Sequence, residues 1–146
     1  MTLRHAKAAI VMASSLWTIG CAAEARSPEP IPIDRVECAR CRMLISSDAG
    51  SGEVVSAAAD TQFYDDVGCL AADWTTHGTG ARAFLRLPDG RWQDAQTASY
   101  ARPQGAHTAM GSGFVAFASQ AEATAADRDG HALTFDDLLR LTGGHR

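Results

Sequence analysis

Lysine is nearly missing from this chain of 146 residues. Lys7 is the only one, so nothing after it can form a lysine Schiff base or supply the lysine of a phosphate-binding loop. Histidine is sparse, and His77, His131 and His145 stand at no spacing that would let them share a metal. No apolar run reaches the roughly twenty residues that cross a bilayer as a helix. A paired-carboxylate or nucleophile motif is also missing: Asp65-Asp66 precede an apolar periodic stretch and read as helix caps. Against these absences stands one dense feature, Cys38-Ala39-Arg40-Cys41-Arg42-Met43, which gathers two thiols and a thioether. Such soft donors suit Cu(I).

The first residues carry a different signal. Arg4 and Lys7 form a positive start, residues 8–19 are mostly apolar, and the pattern reads as an export signal over 1–20. Thr18-Ile19-Gly20-Cys21 resembles a lipobox, with Thr18 where leucine is usual. An ordinary signal cut near Ala22 or Ala23 is the alternative. With Cys21 acylated, several chains would anchor the protein stably, since each buried methylene contributes about 0.8 kcal/mol. Ala22 after the cysteine points to the outer membrane rather than the inner, on the periplasmic side. Removing the first 20 residues leaves 126, enough for one domain, with 11 cations against 17 acids and a net charge of −6. That balance argues against nucleic acid or anionic lipid as a partner.

With Cys21 assigned to lipid, Cys38, Cys41 and Cys69 are an odd set in an oxidising compartment. Either one pair closes and a thiol is left, or thiols are kept for metal. Arg35, Arg40 and Arg42 crowd the first pair and are expected to favour thiolates. Cys38 and Cys41 can be read as metal ligands, a redox pair or an inert disulfide. A thioredoxin-like use is weakened because a strand-like segment, not a helix, follows them. Met43 is a ligand or a core filler. Met110, between glycines in a poorly packed loop, has little structural reason to be there and reads as a ligand. His107 is an alternative or transfer ligand, and otherwise a solvated loop residue. Cys69 lies on an apolar helix stripe, where free cysteine usually behaves as a small hydrophobe. Trp74 and Trp92 read as packing. A zinc module is poorly served by two or three thiols without a histidine pair.

Residues 21–34, with Pro28, Pro30 and Pro32, read as a lipid-anchored flexible tether, and residues 35–146 as one α+β domain. Leu44-Ile45 and residues 53–57 read as short strands. Gln62-Phe63-Tyr64 leads through Asp65-Asp66 into a helix over 67–77, with Val67, Leu70, Ala71 and Trp74 on one face. A strand over 83–87 stops at Pro88-Asp89-Gly90. The second half offers strands at 97–101 and 113–118. Ser119 then caps a helix over 120–128 with Glu122 at its third position, Ala132-Leu133 makes a short strand, and Thr134 caps a helix over 135–141. Two related ββαβ-type units with mainly antiparallel sheets follow from this order.

Four segments in sequence, Cys38-x-x-Cys41-x-Met43-Leu44-Ile45, Phe63-Tyr64-Asp65-Asp66-x-x-Cys69-Leu70, Asp94-Ala95-x-Thr97-Ala98-x-Tyr100 and Met110-Gly111-Ser112-Gly113-Phe114-x-Ala116-Phe117, occur in an order that resembles the NosL family. The resemblance extends from Cys38 to about Leu139. It departs at Arg42, where glycine is common, and at Ala109, where proline is common. NosL proteins are lipoprotein copper chaperones for maturation of nitrous oxide reductase. The resemblance implies paired ββαβ units and a non-enzymatic chain that binds one Cu(I) outside the cytoplasm and passes it to apo-nitrous oxide reductase or another cuproenzyme. The expected ligands are Cys38, Cys41, Met43 and Met110, with His107 and Cys69 as further candidates and Cys21 as the lipidated residue. A thiol-disulfide oxidoreductase, or another enzyme using Cys38 and Cys41, is the alternative.

Overall fold

Short runs of β-branched and aromatic residues, broken by glycine and aspartate turns, build the main sheet. In the computed structural model, which describes residues 27–58 and 60–143, these runs form β1 (Gly52–Val55), β2 (Thr61–Tyr64), β3 (Arg82–Arg86) and β4 (Trp92–Asp94). They pair antiparallel in the order β2-β1-β3-β4. The export signal over 1–20, the lipidation site Cys21, the start of the tether and His145 lie outside the described residues.

The register sorts the two faces. Gly52 stands opposite Tyr64 and Leu85, and Val54 opposite Gln62 and Ala83. Helix α1 (Val67–Asp73) covers this face so closely that a Cβ on Gly52 would lie 2.9 Å from Leu70 Cδ1 and 2.7 Å from Leu85 Cδ2. Glu53, Phe63 and Phe84 share the opposite face. A second sheet pairs β5 (Ser99–Ala101) with β6 (Val115–Phe117), and Tyr100 also bridges to Leu133. Helices α2 (Gln120–Ala126) and α3 (Phe135–Thr142) complete the fold, with α3 packed on α1. Trp74 meets Phe135 edge to face at 5.5 Å, while the buried Tyr100 hydroxyl donates to Ala95 O at 2.6 Å. The fold is α+β with antiparallel sheets, as the sequence predicts. Among the described residues no helix is long and apolar enough to cross a membrane.

Several boundaries differ from expectation. The helix expected over 67–77 turns 3-10 at Trp74–Thr76, where Thr76 Oγ1 donates to Asp73 O and tightens the last turn. Leu44-Ile45 and Ala132-Leu133 give single bridges rather than strands, Glu37 to Leu44 and Tyr100 to Leu133. Residues 97–98 belong to a turn begun by Asp94, whose carboxylate accepts from Gln96 N. Helix α2 ends at Ala126 rather than at residue 128. β4 has no counterpart in the sequence reading, because Trp92-Gln93-Asp94 lacks apolar alternation. It forms because β3 offers it a free edge, with Arg86 over the Trp92 ring.

From Glu29 onward the proline-rich segment is docked, and it turns at residues 33–35. Glu29 N donates to both carboxylate oxygens of buried Glu53, Ile31 and Ile33 pack against the core, and Asp34 N donates to Ile45 O.

Candidate metal centre

The Cys38 loop is held at both ends by backbone hydrogen bonds. Cys38 N donates to Met43 O at 2.8 Å and Arg42 N donates to Cys38 O at 3.0 Å, which folds residues 38–43 into a tight turn. That turn requires Arg42 at φ 65°, a left-handed conformation that glycine adopts without steric cost. Here lies the physical reason why glycine suits the position. Ala39 N donates to Phe63 O, tying the loop to β2, and Arg40 reaches the end of α1 through Ala72 O and Asp73.

Helix α1 brings the third thiol. Asp66 is its N-cap, accepting from Gly68 N at 2.6 Å, and Cys69 is the third helical residue. The sulfurs of Cys38, Cys41 and Cys69 all lie within 4.8 Å of one another, and none is in a disulfide. A soft ion about 2.3 Å from each of three thiolates needs sulfurs roughly 4 Å apart, close to this arrangement. Among the described residues no histidine or carboxylate joins the group. Cys38 and Cys69 are buried, while Cys41 is partly exposed.

Protons are shared unequally. The Cys69 thiol donates to the Cys38 sulfur, and the N–H groups of Cys41, Asp65 and Arg40 add to it, outweighing burial. Cys38 is thereby held at about 4, well below the ordinary 9.0. The same bond retains the Cys69 proton and, with burial, pushes Cys69 up. Burial also raises Cys41. At neutral pH the cluster therefore holds one thiolate and two thiols. The arginines expected to favour thiolates act elsewhere: Arg42 pairs with Glu37 at 2.7 Å, and Arg40 contributes its backbone N–H rather than its guanidinium charge.

The remaining candidates are surface residues. Met43 is 53% exposed and Met110 41% exposed, so neither side chain is a core filler. Met110 N donates to Asp66 Oδ2 at 3.2 Å, and a Cβ on Gly68 would lie 2.5 Å from Ser112 Cβ. The Met110 loop thus packs directly on the first turn of the helix that carries Cys69. His107 is exposed and lines a cleft with Asp65. His77 lies 2.8 Å from the Tyr64 hydroxyl, which donates to Asp73.

Sequence reasoning placed Cys69 on an apolar stripe, and that is where it is; the missed point is that the stripe faces the Cys38 loop. It also paired Asp65 with Asp66 as caps. Only Asp66 caps; Asp65 is 7% exposed, and burial with the neighbouring charge of Cys38 raises its carboxyl. No signal in the sequence separates the two. Compared with known protein families, curated proteins and solved structures, the chain matches none.

Proposed function

We propose that this chain is an extracytoplasmic, lipid-anchored Cu(I) carrier that hands its cargo to a client cuproenzyme, with nitrous oxide reductase the client implied by the NosL resemblance. The observation that carries the reading is the set of three unpaired thiols within 4.8 Å, one of them a stabilised thiolate. Soft sulfur donors without a histidine or carboxylate favour Cu(I) over Zn(II), which usually takes four ligands. Cys38, Cys41 and Cys69 would hold the ion. The exposed thioethers of Met43 and Met110 would supply weaker donors at the surface, where a client can compete for the metal. The duplicated ββαβ organisation belongs to the same proposal. It is supported by a matching antiparallel arrangement in the two halves: β1 lies between β2 and β3, and Tyr100 of β5 lies between β6 and Leu133.

The low-lying thiolate of Cys38 also favours thiol-disulfide exchange. Against that use, Cys38 is 0% exposed, so the activated sulfur is the one a substrate disulfide cannot reach. An anaerobic Cu(I) competition titration, run beside Zn(II), decides between the readings. One tightly held Cu(I) is expected, weakened in Cys38→Ser/Cys41→Ser, in Cys69→Ser and, to a lesser degree, in Met110→Leu. Cu(I) affinity no better than that of unrelated thiols would overturn the carrier reading.

A further inference from the structure

Asp65 is only 7% exposed as a residue, and its carboxylate, whose oxygens still reach solvent, forms no hydrogen bond and no ion pair with the described residues. A carboxylate without a protein partner at the edge of a cleft can be met there by a cation. Asp65 lines a cleft of about 390 Å³ whose walls include Pro88, Ala109, Phe114 and Val115. Arg86 borders the same cleft, but its guanidinium donates to Asp48 at 2.6 Å and lies over the Trp92 ring, so its charge is already matched.

We propose that this cleft is a binding site for an organic cation, a primary ammonium or guanidinium on a short apolar stem, with Asp65 as its counter-charge. The apolar walls accept the stem, as they do in small-molecule pockets where a few polar groups fix orientation. A hydrated hard ion fits poorly, because it needs oxygen ligands on every side. An anion would meet the Asp65 carboxylate. The cation can come from a free amine or from a lysine or arginine side chain of a partner protein. The cleft adjoins the thiol centre through one residue: the Asp65 amide donates to the Cys38 sulfur while its carboxylate serves the cleft. The site stands on its own geometry and does not rest on the copper reading.

The test is a calorimetric and amide-NMR titration of the full metal-free chain with n-butylammonium and n-butylguanidinium, with neutral n-butanol as control. Both cations are expected to bind saturably, with a Kd of roughly millimolar order for so few atoms, and to shift the amides of Asp65, His107 and Val115. Butanol should bind at least about tenfold more weakly, and Asp65→Asn should lose about tenfold for the cations. Ala109→Phe, which fills the cleft and leaves the carboxylate in place, should lose binding as well, and it decides the matter if Asp65→Asn does not fold. Tripeptides Ala-Lys-Ala and Ala-Arg-Ala assign the source. Tighter binding than butylammonium upholds the site as a docking point for a partner's side chain, and weaker binding upholds it as a small-amine site. Equal affinity for butanol, absence of saturation, or unchanged binding in Ala109→Phe overturns the proposal. Loss of Cu(I) binding with butylammonium binding retained would strike only the carrier reading.

Discussion

Cys38 and Cys69 share one proton, and the sharing is testable at single residues. Cys69→Ala removes the thiol that donates to Cys38, so the Cys38 pKa is expected to rise from about 4 toward the ordinary 9.0. The Cys38 Cβ chemical shift, followed by NMR against pH, reads this directly without a reagent reaching the buried sulfur; an unmoved profile would show that the backbone N–H groups suffice. Glu53 offers a second test at this scale. It is 0% exposed in β1 of the main sheet, and burial raises its carboxyl to about 7 from 4.5. The folded state therefore binds the proton more tightly than the unfolded state. Its effect on stability is neutral below pH 4.5, and stability falls as pH rises through the window to about 7. The loss is on the order of 3 kcal/mol. Denaturant melts from pH 5 to 8 should show this slope in the parent and a flatter one in Glu53→Gln.

At the scale of elements, two contacts decide whether the donors meet. The turn over 38–43 places Arg42 at φ 65°, a strain of about 1 kcal/mol for a side chain with a Cβ. Arg42→Gly relieves it but loses an exposed ion pair with Glu37, itself contributing at most about 1 kcal/mol. Stability is expected to stay within about 1 kcal/mol of the parent, whereas β-branched Arg42→Val should lose about 1–2 kcal/mol in the same melts. The second contact joins α1 to the Met110 loop. In Gly68→Ala the new methyl would meet Ser112 Cβ at 2.5 Å and Asp66 Oδ1 at 2.9 Å. The loop must move outward, at about 1–3 kcal/mol. Cu(I) affinity is expected to fall with it, and Ser112→Gly in the Gly68→Ala background should restore part of both. Affinity unchanged in Gly68→Ala would separate the Met110 loop from the metal.

Over the whole molecule, the proline-rich segment is part of the fold from Glu29 onward. A chain beginning at Arg35 would lose the packing of Ile31 and Ile33 and leave Glu53 without the Glu29 N–H. Its unfolding free energy is expected to be lower by about 2 kcal/mol or more than that of a chain beginning at Ala22, as equilibrium denaturation would measure. The helices were legible because their signals are local: Asp66, Ser119 and Thr134 each accept from a first-turn N–H, and Gly143 ends α3 at φ 74°. The α+β class and antiparallel pairing follow from short strands between tight turns. Strand β4 and the docked tether were not legible, since both exist only because a sheet edge and a sheet face were there to receive them. The same division runs through the site. Sequence by itself determined the soft character of the donors and the Cys38-x-x-Cys41 spacing, because those are covalent facts along one loop. Tertiary structure alone decided that Cys69 completes the cluster, that Asp66 ties down the Met110 loop, and that Asp65 faces a cleft without a partner. These depend on which face of α1 meets the loop, and a helical stripe records that it is buried but not against what.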